Sequence, residues 1–311
     1  MKWSKNFISV VMPVFNSAIY LSKSIESILN QSHADFELIV IYDLSDDDSL
    51  HILHKYSRID ARIRIIYGDN SGIIGALNKG IEFSTGDFIA RMDADDVSLP
   101  DRFKRQLEVM LNDGSDICGC NFALVDEDEK IIDYRIVPNV HQLILLELAR
   151  CVPFAHGSVL IRKRFLNNNN LSYGSDRYQD TEDYDLWTRM YSCGAIFSNV
   201  NDCLFHYRVH HQSLSNKKKN IVQFNNNHIS YGFILKNRKK IQNEITSNKV
   251  SSFSVREDET RVFLILTLSV LCFDLFILRK LKSFSYRSLF FGGSRALYFV
   301  ASIFKSKIFG I

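Results

Sequence analysis

Residues 7–92 repeat one pattern, a short aliphatic run that ends in a polar loop, with an amphipathic stretch between successive runs. The runs are FISVVM (7–12), FELIVIY (36–42), ARIRIIY (61–67) and GDFIARM (86–92). Leu21, Ile25, Ile28 and Leu29 mark one helical face after the first run. Leu50 and Leu53 do so after the second, and Ile74, Leu77 and Ile81 after the third. Short β-branched runs alternating with 3.6-residue periodicity predict strand-helix-strand units, and so an α/β fold with a mostly parallel sheet flanked by helices.

Such sheets bind ligands beyond the carboxyl ends of their strands. The residues there are PVFN (13–16), DLSDDDS (43–49), GDNSG (68–72) and DADD (93–96). Three of these loops are rich in carboxylates, a poor lining for an anion unless a cation intervenes. Carboxylates at Asp93 and Asp95 on one turn can aim at a single hard cation, Mg²⁺ or Mn²⁺, which keeps sites for phosphate oxygens. A calcium loop counted from Asp93 would need Gly and Glu where Ser98 and Lys104 stand. Taken alone, a solvated acidic turn reads the same way.

Beyond Pro100 the pattern predicts a helix over 101–111, strands near 116–136, a helix near 141–149 and a strand over 156–162. A helix over 181–191 and a strand ending in 203–211 follow, with helical segments near 220–242, 256–278 and 283–307. The net charge of +3 conceals an asymmetry: residues 217–311 hold 17 Lys and Arg against 5 Asp and Glu, and residues 1–216 hold 21 against 30. A domain over 1–216 and a basic, amphipathic helical region over 217–311 are expected. The six cysteines form no CxxC pair and the N-terminus has no signal-like apolar stretch, which points to a cytoplasmic setting. The run Val262–Leu278 carries Thr267, Ser269 and Asp274 and falls short of a spanning helix, so it reads as interfacial or packed. Lys and Arg interleaved with Phe, Leu, Ile and Tyr over 279–309 suit an anionic membrane surface better than a nucleic acid. A solvated helical bundle is the competing reading.

Seven segments, in order, resemble glycosyltransferase family 2: ISVVMPVFN (8–16), ESILNQS (26–32), FELIVIYDLSDDDS (36–49), NSGIIGALNKGI (70–81), MDADD (92–96), EDYDLWTR (182–189) and YRVHHQSLS (207–215). The resemblance covers roughly residues 7–215 and implies a GT-A fold with a C-terminal helical extension. The implied activity is inverting transfer of a sugar from a nucleotide-diphosphate donor, most simply a UDP-sugar, with Mn²⁺ or Mg²⁺ as cofactor. Pro13, Phe15 and Asn16 would shape the nucleotide pocket and Asp43 would read the base. Asn70, Asn78 and Lys79 would lie near the base or phosphates. Asp93 would sit near ribose and metal, with Asp95 the direct ligand and His210 a third metal or diphosphate contact. Asp183 would be the general base, a role that a carboxylate merely favouring a helix N-terminus would imitate.

Family habit further suggests a lipid-linked saccharide acceptor in envelope polysaccharide assembly, O-antigen or capsule, at the inner face of the cell membrane. His156 is expected on the acceptor side or in the core, and Tyr184 and Trp187 either stack on a sugar or pack inward. One departure stands out: the family has two acids and a glycine where this chain has Tyr42, Asp43 and Leu44. Those two replacements are the support for a rival reading, a degenerate nucleotide-sugar-binding or scaffold protein at the membrane that has kept the fold but lost turnover. A nucleotidyltransferase would need a Gly-rich loop in place of PVFNSAIY (13–20). GIIGALNKG (72–80) matches neither a dinucleotide-binding nor a P-loop pattern.

Overall fold

A computed structural model of the chain describes residues 6–174, 178, 180–210 and 219–247. The chain divides into two compact units, Met1–Ile229 and Ser230–Ile311. The expected boundary at 216/217, the helices near 256–278 and 283–307, and His211 all lie outside the described residues.

The first unit opens with β1 (Ile8–Val14), α1 (Ala18–Leu29), β2 (Phe36–Tyr42), α2 (Ser49–Ile59), β3 (Ile63–Tyr67), α3 (Gly72–Phe83) and β4 (Phe88–Arg91). These strands pair in parallel in the order β3-β2-β1-β4, with Ile8 opposite both Phe36 and Phe88. Every residue of β2 is buried because helices cover both faces. Leu38 and Val40 join Leu21, Ile25, Ile28 and Leu53 in the main core. Ile39 and Ile41 pack with Ala76 of α3 on the other side. The alternation of a strand thus feeds two layers from one apolar run.

The second half follows as β5 (Val97–Ser98), α4 (Arg102–Asp113), β6 (Ile117–Val125), β7 (Ile131–Arg135), α5 (His141–Leu148), β8 (Leu160–Arg162), α6 (Lys163–Asn168), α7 (Glu182–Ser192) and β9 (Phe197–Arg208). It extends the sheet in the order β4-β8-β6-β9-β5, with β7 on the outer side of β6. Here antiparallel pairs, β4 with β8, β6 with β8 and β5 with β9, alternate with the long parallel pair of β6 and β9. The strand expected over 156–162 is shorter than its apolar pattern: His156–Ser158 forms a 3-10 turn and pairing starts at Leu160. Helix α4 stops at Gly114, whose φ of 74° is the left-handed cap that glycine adopts without a side-chain clash. Helix α8 (Lys219–Ser247) closes the described chain. Among the described residues no helix is long and apolar enough to cross a membrane.

Candidate active site

Three loops at the carboxyl ends of β1, β2 and β3 lock into one cradle. The Asn16 N–H donates to Ser45 Oγ at 3.0 Å, and Asn16 Oδ1 accepts from the Asp46 N–H at 2.9 Å. Asn70 Oδ1 accepts from the Leu44 N–H at 3.1 Å, while the Asn70 N–H donates to Asp43 Oδ1 at 3.2 Å. Both asparagines sit in the left-handed region, at φ 47° and 57°, where a short amide side chain is tolerated. Asp47 Oδ2 accepts the Ala18 N–H at 2.8 Å at the start of α1. Burial would raise its pKa, but hydrogen bonds from Ser49 and Ala18 outweigh that and hold it below the usual range.

Asp43 is 8% exposed at the cradle floor, and Phe15 and Leu44, at 62% and 70%, stand open at its rim. Pro13 is half-buried in β1. Lys79 on α3 lies close enough for its charge to help lower the pKa of Asp69, after hydrogen bonds from Ser71. Asn78, expected near base or phosphates, spends both polar groups elsewhere: Nδ2 donates to Tyr173 O at 2.9 Å and Oδ1 accepts the Tyr173 N–H at 2.8 Å.

The acidic turn follows β4 directly. One carboxylate oxygen each from Asp93, Asp95 and Asp96 lies within 4.8 Å of the others. Asp96 is buried; its Oδ1 accepts the Arg208 N–H at 2.8 Å, and its Oδ2 makes no hydrogen bond among the described residues. Burial, then the neighbouring charge of Asp95, push the Asp96 carboxyl well above the usual carboxylate range. An all-oxygen set with one buried, unspent acceptor fits a hard divalent cation such as Mg²⁺ or Mn²⁺.

His210 reaches this turn, with Nε2 2.9 Å from Asp95 Oδ2. His206 sits in the β9 ladder opposite Val97. Tyr20 of α1 packs its ring against His210 at 5.3 Å and under the Arg208 guanidinium at 4.5 Å. Arg208 in turn donates to Asp95 O at 2.8 Å, to Asp126 O and Glu127 O at 3.1 Å, and to Glu129 Oε1 at 2.8 Å.

On the other side of the turn stands the N-terminus of α7. Asp183 Oδ1 accepts the Tyr184 N–H at 2.7 Å. Burial, then the charge of Glu182, push the Asp183 carboxyl up to about 7. The 3-10 turn bridges the two groups. A methyl group at Gly157 would stand 2.6 Å from Phe205 Cζ and 3.0 Å from both Asp93 Oδ2 and Asp96 Oδ2, so this turn packs tightly against the acids and the β9 core. His156 next to it places Nδ1 3.8 Å from Glu182 Oε1 and Nε2 3.1 Å from the Tyr173 hydroxyl. Burial, then the positive charge of Arg91, hold His156 neutral, well below its ordinary pKa. Tyr184 and Trp187 are fully buried, so the inward of their two readings is the one realised.

Three residues escaped the sequence reading. Arg91, buried at the end of β4, forms an ion pair with Asp93. Arg102, fully buried on α4, donates to Gly157 O at 2.8 Å and to Arg91 O at 3.1 Å, tying the acidic turn to the 3-10 turn. Burial lowers its pKa to about 10. Arg208 is the third. The available signal was an arginine inside or at the edge of each apolar pattern, where a charge is seldom buried unless paired.

The glycosyl transferase family 2 model matches residues 9–205. The O-antigen biosynthesis glycosyltransferase WbnJ of Escherichia coli is 34% identical over 214 residues, spanning 67% of this chain and 82% of that protein. The putative teichuronic acid biosynthesis glycosyltransferase TuaG of Bacillus subtilis is 27% identical over 215 residues, with 69% and 83% covered. Among solved structures, S. aureus TarS 1-349 in complex with UDP superposes with a TM-score of 0.58 at 17% identity, covering 86% of this chain and 81% of that one. Its complex with UDP-GlcNAc gives 0.57 at 18%, covering 91% and 75%. These likenesses bear out the fold, an α/β sheet of GT-A type.

Proposed function

Because the chain belongs to glycosyl transferase family 2, we propose that it transfers a sugar, with inversion, from a nucleotide-diphosphate donor to a saccharide hydroxyl in cell-surface polysaccharide assembly. The observation that carries this is the juxtaposition of an oxygen-lined acidic turn, at the carboxyl edge of a parallel sheet, with a carboxylate whose pKa lies near 7.

The cradle of Pro13, Phe15, Asn16, Asp43 and Asn70 receives the nucleoside, with Lys79 beside it. A UDP-sugar is the donor that the solved relatives in complex with UDP and UDP-GlcNAc support. Asp93, Asp95 and His210 would hold Mn²⁺ or Mg²⁺, which when bound neutralises the departing diphosphate. Asp183 takes the proton of the acceptor hydroxyl on Oδ2, its Oδ1 being held by the Tyr184 N–H. A carboxylate tuned near neutrality can accept that proton as the C–O bond forms, and it is ready to lose it again to solvent. Attack from the face opposite the leaving diphosphate inverts the anomeric carbon. Asn78 serves by fixing Tyr173, and through it His156, behind the base helix.

The names of WbnJ and TuaG support an envelope polysaccharide acceptor, and a lipid-linked saccharide is the acceptor we infer for it. The basic, aromatic-interleaved sequence after residue 216 supports docking on the anionic inner face of the membrane. Calorimetric titration with a panel of nucleotide sugars, in Mn²⁺, Mg²⁺ or EDTA, tests the reading. Metal-dependent binding of one donor, abolished in Asp95→Ala, is expected. Failure of every donor to bind would leave a scaffold protein instead.

A further inference from the structure

Arg91 stands where the two halves of the site meet. It closes β4, its side chain is 6% exposed, and its Nη1 contacts Asp93 Oδ2. The Arg91 N–H donates to Val159 O at 3.0 Å and its carbonyl accepts from Arg102 at 3.1 Å, so the main chain is pinned at both ends. Nε and Nη1 are both buried and neither makes a hydrogen bond among the described residues, so Arg91 meets Asp93 as an ion pair. The same positive charge acts on other groups too: it favours ionised Asp96 and Asp183, lowers the Tyr173 pKa, and opposes protonation of His156 and Arg102. One guanidinium therefore pairs directly with the proposed cation turn, and its charge is felt as far as Asp183 of the base helix.

A divalent cation on this turn needs the carboxylate that Arg91 now neutralises, and two cations on one carboxylate repel each other in a poorly hydrated site. A displaced guanidinium is costly to leave unpaired in the interior, so the cation and Arg91 compete for Asp93.

We propose that Arg91 is the resident counter-ion of the cation site, holding Asp93 until a divalent cation claims that carboxylate. Arg91 is thus a positioning residue, and this role rests on the cation reading given above.

Titration with Mn²⁺ alone separates it from a purely structural role, because the two differ in sign. Removing a competitor tightens Mn²⁺ binding, whereas damage to the turn weakens it. Arg91→Met is expected to bind Mn²⁺ severalfold more tightly than the wild type while donor turnover falls. Arg91→Lys keeps a charge but loses the planar fork, so its Mn²⁺ affinity falls between the two, again with lower turnover. Unchanged or weaker Mn²⁺ binding in either variant, with a wild-type circular dichroism spectrum, overturns the counter-ion role. If Arg91→Met does not fold, Arg91→Lys alone decides. Asp95→Ala is the control. If it loses Mn²⁺ and the Arg91 variants do not tighten, only the counter-ion role falls; if it binds Mn²⁺ like the wild type, the cation reading fails and takes this inference with it.

Discussion

His210 places Nε2 2.9 Å from Asp95 Oδ2, across 115 residues of sequence. That contact closes the acidic turn from the far end of the sheet, and it is backed by Tyr20 and Arg208, which fix the imidazole and the Asp95 carbonyl respectively. Replacing His210 by alanine leaves Asp95 in place but removes both an imidazole ligand and an orienting partner. Mn²⁺ affinity is expected to fall about 10–100-fold, the range seen when partners of metal ligands are lost. Mn²⁺ titration of His210→Ala beside Asp95→Ala checks it, with the larger loss in the latter.

Asp43 depends on a glycine. A methyl group at Gly68 would lie 1.8 Å from Asp43 Oδ1 and 2.9 Å from its Cγ, so Gly68→Ala must drive the carboxylate from the cradle floor. Donor affinity is expected to drop at least tenfold, while the melting temperature changes little because the clash is with a side chain at the edge of the core. Calorimetry and thermal denaturation read the two effects separately.

Asn78 tests the opposite case, a residue of the nucleotide-binding motif whose polar groups serve the fold. Its two bonds to the Tyr173 main chain span 95 residues of sequence. Asn78→Ala leaves a partly buried N–H and C=O unpaired, at a cost of about 1–3 kcal/mol for each group that water cannot reach. Urea unfolding should show the loss, with nucleotide affinity close to that of the wild type.

Asp183 links catalysis to stability. Its carboxyl sits at about 7 in the folded chain against an ordinary 3.8, so the folded state keeps a proton that the unfolded state has lost between these values. Stability from this group is present at low pH and declines as pH rises through about 7. Asp183→Asn abolishes the ionisation, so it should raise the melting temperature at about pH 8 more than at about pH 5. Scanning calorimetry at the two pH values gives the comparison.

Much of this was legible in the sequence because the first half is built from local, repeated patterns. FELIVIY became a strand with the bounds its composition suggested, and the other three runs moved by one or two residues. The second half was harder. Val97–Ser98 is a strand only because β9 lies beside it, and Lys163–Asn168 is too short for periodicity to register. His156–Ser158 reads as part of an apolar run but must turn to bring Gly157 against the acids. At the site, residue types at strand ends pointed to the loops that form the cradle. The bonds of Asn78 to Tyr173 were not legible because the chemistry of an amide does not reveal whether it faces a ligand or a distant main chain. Arg91, Arg102 and Arg208 were missed for a related reason: a buried arginine leaves no periodic trace, and the partners of Arg102 and Arg208 come from distant parts of the chain.

The decisive measurement is donor binding and turnover in Asp183→Asn, with Mn²⁺ present and the donor found in the binding panel. Loss of the base should leave donor affinity within a few-fold of the wild type and cut transfer to a saccharide acceptor by about 10²–10⁴. Wild-type transfer rates in Asp183→Asn would contradict the assignment of the base, and with it the proposed route of the acceptor proton.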